Sequence, residues 1–186
     1  ILDVAISRGS IAMVTLPAVN TLPVDRELIN LVVGMIRRLL ARGFSYQDDG
    51  EIGSLSPEDI GVVVSRRAQV GALTQALSSI GNIYVETANR FQGLQHRVVF
   101  TLHPLSGKIR PDEFSIHSGR MCVATTRHRI CCVIVGREGI GESLGRYVPD
   151  DDRFLGQQND PVFLGWKAHE LLLSELERTD RIVKAA

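Results

Sequence analysis

Ile60-Gly61-Val62-Val63-Val64-Ser65-Arg66-Arg67 is the stretch that decides the fold. A strand with one wet face alternates apolar and polar side chains. An apolar run that does not alternate belongs to a strand covered on both faces, as in the centre of a parallel sheet. Parallel neighbours cannot be joined by a tight turn, so helical crossovers are expected on either side. Ser65 reads as the cap of the next helix, which runs from Gln69 to Leu77.

The pattern continues in both directions. Upstream, Ile11 to Leu16 is a short strand closed by Pro17. Pro23 and Asp25 then open an amphipathic helix, with Leu28, Leu31, Val32, Met35, Ile36, Leu39 and Leu40 at helical spacing and Gly43 at its end. Residues 44 to 58 are polar and rich in Gly and Ser, and read as a surface loop. Downstream, Ile83 to Val85, Val98 to Leu102 and Cys131 to Val135 read as strands. His103 to Asp112 reads as a loop, His117 to Ala124 as a helix, and Gly136 to Tyr147 as a region with a short helix. Residues 149 to 161 are expected to be a linker. Phe163 to Ile182 forms a C-terminal helix with Trp166, Leu172 and Leu176 on one side, packed on or extending from the domain at 1–148. Alternating strands and helices define an α/β fold with a mostly parallel sheet flanked by helices.

At 186 residues the chain fits one domain, and 44% hydrophobic with 23% charged residues is enough apolar mass for a core. The formal net charge is zero. That excludes holding nucleic acid by bulk charge and leaves room for a local basic groove. The lysines are Lys108, Lys167 and Lys184, so the cations are mostly Arg, which suits planar bidentate phosphate contacts. GC-rich codon usage gives the same bias. Cys122, Cys131 and Cys132 read as small buried hydrophobes rather than a disulfide or zinc framework. No apolar run approaches the ~20 residues of a membrane span. The chain begins Ile1-Leu2-Asp3-Val4, without Met and without the layout of a signal peptide, and is expected to be part of a longer protein.

Two patches carry chemistry. The first, Thr87-Ala88-Asn89-Arg90-Phe91-Gln92-Gly93-Leu94-Gln95, follows a strand. Gly93 would let the backbone approach a phosphate, and Thr87, Gln92 and Gln95 offer a hydroxyl and two amides. Ligands of doubly wound sheets bind outside the carboxyl ends of the strands, where this turn is expected. The second patch, Gly119-Arg120-Met121-Cys122-Val123-Ala124-Thr125-Thr126-Arg127-His128-Arg129, sets three Arg among apolar neighbours. Each needs an anionic partner or water, and Arg129 and Arg120 could be ordinary salt-bridge partners. Ser106-Gly107-Lys108 is not a phosphate loop: the pattern requires Gly where Leu102 stands and Ser or Thr where Ile109 stands. His103, His117 and His128 are scattered and lack a partner at metal-ligand spacing.

Together the two patches resemble motifs V and VI of superfamily 1 helicases, and Ile60 to Arg67 is similar to motif IV. The resemblance spans about residues 10 to 140 and implies a RecA-like P-loop NTPase fold. It is that of the second, C-terminal motor domain of an ATP-dependent DNA or RNA helicase. Such a domain faces an N-terminal RecA-like domain that carries the Walker A and B sequences, with ATP and Mg held mainly there. By the same resemblance Arg127 is the arginine finger, and Gln92, Gly93, Gln95 and Arg120 line the nucleotide. Thr87, Ser65 and Arg66 touch single-stranded DNA or RNA, and the setting is cytoplasmic. Gln95 departs from the family, where Glu is usual, and His96-Arg97 replaces a more acidic stretch. Two other readings stay open: a degenerate RecA-like regulatory or binding module, and an independent α/β interaction or nucleotide-binding domain whose Arg residues are structural. Without Walker sequences the chain alone is expected to be inactive.

Overall fold

Four strands with almost no wet surface form the centre of the molecule: β1 (Ile11–Leu16), β4 (Ile60–Val64), β6 (His96–Leu102) and β7 (His128–Arg137). The structure is a computed structural model that describes residues 9–19, 24–147 and 160–185. With β5 (Tyr84–Thr87) and β8 (Ile182–Lys184) at the edges, these strands make one sheet in the order β5-β4-β6-β7-β1-β8. Every pairing in it is parallel. Of the linker expected at 149–161, residues 149–159 lie outside the described residues; Asp160 caps and Pro161 opens the last helix, which ends at Arg178, so that Ile182 opens β8 instead of closing a helix.

The unalternating run of β4 divides between two cores. Val62 and Val64 point to one face, with Phe100, Leu102, Val133 and Val135. There they meet α1 (Arg26–Ala41) and α2 (Arg67–Leu77). Val63 points to the other face, with Val99, Cys132 and Ile134, under α3 (Glu113–Ile116), α4 (Ser118–Thr126), α5 (Ile140–Gly145) and α6 (Pro161–Arg178). Chain moving from β1 towards β5 crosses on the first face, and chain moving from β6 towards β8 crosses on the second. A single crossover handedness requires this arrangement. The direction reverses between β4 and β6, which makes the carboxyl ends of those strands the topological switch point. This is a mostly parallel α/β sheet flanked by helices, consistent with a RecA-like P-loop NTPase fold.

Several local expectations are corrected. Residues 44 to 58 are not a plain loop: they hold an antiparallel hairpin of β2 (Ser45–Asp48) and β3 (Glu51–Ser54), then a 3-10 turn, Pro57–Asp59. Asp49 and Gly50 take positive φ at the hairpin tip, which is why a polar, Gly-containing stretch still forms strands. Ser65 is not the helix cap. Arg66 is, and the Gln69 carboxamide accepts from the Ser65 and Arg66 amides at 3.2 and 3.0 Å. Pro104 and Leu105 are buried, so the loop from Pro104 is only partly exposed. Cys122 is exposed. Burial pushes the thiols of Cys131 and Cys132 up to about 11 and about 12, so they are inert. No helix among the described residues is long and apolar enough to cross a membrane.

Two buried polar contacts fasten the layers. Arg137, at the end of β7, meets Asp25 in a bidentate pair at 2.8 and 3.0 Å and reaches Glu27 at 2.5 Å. Asp25 also caps α1. Burial pushes its carboxyl up, but Arg137 and the amides of Leu28 and Glu27 outweigh this and hold it below the usual range. The second contact pins α6. His103 is not solitary: the amide of Leu105 donates to its Nδ1 at 3.2 Å, and its ring lies 3.3 Å, Nε2 to Nδ1, from the fully buried His169 of α6. The amide bond leaves the proton of neutral His103 on Nε2, facing His169. Gly165, one turn earlier, lets α6 lie on backbone: a Cβ there would stand 1.9 Å from the Ile116 carbonyl oxygen.

The histidine pair predicts a pH response. Burial lowers His169 from 6.5 to about 4, and burial followed by the charge of His169 holds His103 well below its ordinary value. The unfolded chain therefore binds protons that the folded one refuses. Stability is unaffected above pH 6.5 and falls as pH drops from 6.5 towards 4. Denaturant midpoints at pH 7.5, 6 and 4.5 should decline in that order. His169→Gln should flatten the decline, whereas an unchanged slope would assign it to other groups.

Candidate functional site

Each of the two sequence patches runs from the carboxyl rim of the sheet to the amino rim. After β5 the chain folds back over the sheet to the start of β6, and Phe91 anchors the return. Its fully buried ring lies 5.2 Å from that of Tyr84 and 5.4 Å from that of His96. A Cβ on Gly61 would come within 2.6 Å of the same ring. Tyr84, Gly61 and His96 all stand at the amino ends of their strands. Gln92, Gly93 and Gln95 therefore lie exposed at the amino rim, with Gly93 at φ 79°. This corrects the expectation that the turn sits outside the carboxyl ends. The link from β5 to β6 contains no helix and spends its residues on the return.

Arg127 is on the same amino rim. It is the C-cap of α4, immediately before β7, and its carbonyl accepts from the His96 amide at 3.0 Å. The turn and Arg127 thus flank neighbouring strand starts. The Arg127 guanidinium is partly exposed, and among the described residues it meets only the Thr126 hydroxyl, at 2.9 and 3.3 Å. A cation that is held lightly in this way is available to an incoming anion. Thr101 fixes the end of α4 beneath it, its buried hydroxyl donating to the Ala124 carbonyl at 2.6 Å.

Arg129, two residues on, is fully engaged. It pairs with Asp48 at 3.0 Å and Asp49 at 3.3 Å, the structural role weighed for it from sequence. Arg97 is the centre of that cluster. It pairs with Asp59, with Glu51 at 2.8 Å and with Asp48 at 3.6 Å, and its guanidinium lies 4.0 Å from the centre of the Tyr46 ring. Burial raises the Asp59 carboxyl, but the Ser56 amide and Arg97 bring it below its ordinary value. The hairpin is therefore clamped to the amino rim beside Arg127.

The carboxyl rim holds Ser65 and Arg66 beyond β4 and Thr87 at the end of β5. They open onto a groove of about 620 Å³ whose other walls include Arg67, Arg90, Phe114 and Arg120. Arg120 is therefore not with Gln92 and Gly93. It lies in the first turn of α4, at the opposite end of the helix from Arg127. Phe114 is 41% exposed, and the Arg120 guanidinium sits 3.7 Å from its ring centre, fixed by a 3.1 Å bond to the Phe114 carbonyl. Arg66 approaches the same ring at 5.3 Å. Glu86 restrains part of the groove, accepting from the Thr87 amide at 2.9 Å and from Arg90 at 3.2 Å. Arginines, hydroxyls and an exposed aromatic in one channel are the equipment for a flexible polyanion with π faces, namely single-stranded nucleic acid. Arg67 and Arg90 lie in the stretches quoted from the sequence but had no role assigned there, and Phe114 was missed. An aromatic directly after the charged stretch Arg110-Pro111-Asp112-Glu113 was the available signal.

A second crevice of about 200 Å³ adjoins this groove at the switch point, between Ser65, Arg66 and Gln69 on one side and His103, Ser106 and Lys108 on the other. Among the described residues no group of three or more His, Cys, Asp or Glu could hold a metal.

A family model described as an AAA domain matches residues 23–139. The chain belongs to that family, a domain found in superfamily 1 helicase-like proteins. No curated protein matches it.

The clamp on the hairpin is directly testable. Arg97→Ala removes the one cation shared by Asp48, Glu51 and Asp59, whereas Arg129→Ala leaves Arg97 in place. Limited proteolysis should cut Arg97→Ala between residues 45 and 54 faster than the unsubstituted chain, with Arg129→Ala in between. Equal cleavage rates would show that the hairpin holds without the clamp.

Proposed function

We propose that the chain is the second RecA-like domain of an ATP-dependent superfamily 1 DNA or RNA helicase, supplying an arginine finger and part of the single-strand track. The observation that carries this reading is α4. One short helix has Arg120 in the basic groove at its start and the lightly held Arg127 on the opposite rim at its end. Arg127 would reach the γ-phosphate of ATP across a cleft, with the Gln92-Gly93-Gln95 turn lining the nucleotide. Ser65, Arg66 and Thr87 would contact the strand backbone, and we move Arg120 from the nucleotide set to the strand set because of where it sits. ATP and Mg would be held mainly by an N-terminal RecA-like domain. The residues on the amino rim suit a phosphate. The free thiols among the described residues suit a cytoplasmic setting.

The role proposed for Arg127 belongs to the transition state. A guanidinium that meets the phosphoryl oxygens only when a cleft closes acts mainly in the transition state. A Gln at position 95 keeps hydrogen bonding to the nucleotide but not the charge of the usual Glu. The alternative of a degenerate module rests on that residue.

In the intact protein Arg127→Ala should lower ATP turnover by roughly 10³–10⁵-fold while leaving ATP affinity nearly unchanged. Arg127→Lys should recover little, because a point charge does not reproduce the fork. Near-normal turnover in Arg127→Ala would refute the finger assignment. For the chain itself, single-strand affinity should fall steeply with salt, with Arg120→Ala weakening it and Arg127→Ala not. Fluorescence anisotropy of a labelled oligonucleotide at two salt concentrations reads this out.

A further inference from the structure

Asp112 stands at the seam between the groove and the switch-point crevice. Its Oδ1 caps α3, accepting from the Ser115 amide at 2.8 Å. Its Oδ2 faces the other way and accepts from two cations, Lys108 at 2.5 Å and Arg66 at 3.4 Å. Those cations belong to the two hollows: Arg66 lines both, and Lys108 lines the crevice. The Asp112 side chain is half exposed, so it is open to an incoming ligand. Lys108 also donates to the Ser115 hydroxyl, which holds its ammonium at the seam when the carboxylate is removed.

We propose that Asp112 is an intramolecular stand-in for a strand phosphate. It occupies Arg66 and Lys108 and so ends the track at the groove. A bound single strand that displaces it gains both cations and continues into the crevice beside Ser65 and Ser106. This rests on the reading of the groove as a single-strand site. The physical basis is substitution of one anion for another. A phosphate oxygen and a carboxylate oxygen accept from the same donors, so the cations are never bare, and binding strength is set by the difference between two acceptors. The consequence is a tempered affinity, which a domain that must release its strand requires.

The test uses Asp112→Asn. Asn keeps an oxygen to cap Ser115 and is itself a favoured cap, so α3 is retained while the charge is lost. Glu170→Gln, on the exposed side of α6, makes the same charge change away from the groove and serves as control. Binding of a labelled oligothymidylate is measured from low to moderate salt. Asp112→Asn should bind about 3–10-fold more tightly than both the unsubstituted chain and Glu170→Gln. Each cation released to a phosphate should steepen the log–log salt slope by about 0.7. Lys108→Ala placed on Asp112→Asn should take most of the gain back. If the unsubstituted chain binds and Asp112→Asn binds no more tightly than Glu170→Gln, the stand-in role is overturned and the groove reading stands. If neither the unsubstituted chain nor Asp112→Asn shows salt-dependent binding, the groove reading falls, and this one with it.

Discussion

A parallel sheet whose central strands have no wet face must send its chain out over both sides, and the rest of this molecule follows from that requirement. The side chains of β4, β6 and β7 alternate between two cores, so helices are needed on each face. Because every crossover keeps one hand, leftward and rightward progress use different faces, and the two directions part between β4 and β6. The crevice there, and the groove beside it, are products of this winding. So is the separation of chemistry between the rims, since a strand that ends on one rim can begin its successor only on the other.

α4 is the element that spans this separation. Its first turn carries Arg120 into the groove and its C-cap is Arg127. Thr101 holds its far end through the Ala124 carbonyl, deep in the second core. At its near end, α6 lies on the backbone of Ile116 and Ser118 because Gly165 has no side chain to keep it away. Both ends of α4 are thus fastened to the second core, with Arg120 at one and Arg127 at the other.

Much of this was legible in the sequence, for a physical reason. The run at Ile60 to Val64 and the spacing from Leu28 to Leu40 record burial directly, so sheet and helices follow from them. Arg127 and the Gln92-Gly93 turn were singled out by their resemblance to helicase motifs, and both lie on the amino rim. The side of the sheet they occupy was misread, because that depends on whether β5 and β6 are joined by a helix, and a polar turn does not say. Arg120 was grouped with Arg127 because they are close in sequence, but seven residues of helix separate them in space, at about 1.5 Å per residue. The hairpin hid in composition: its strands bury little, and what holds them is Arg97, far away in sequence. The contact between His103 and His169 has no local signature at all.

The last strand has a mechanical meaning. β8 lies beside β1 in parallel, three residues in register, with the Met13 amide bonded to the Arg181 carbonyl and the Ala185 amide to that of Thr15. Residue 9 therefore approaches the sheet at one rim and residue 185 leaves it at the other. Tension applied between those points slides the two strands past each other and loads their bonds together, in shear, instead of opening them one by one. A domain threaded in this way transmits force along its strands with little yielding.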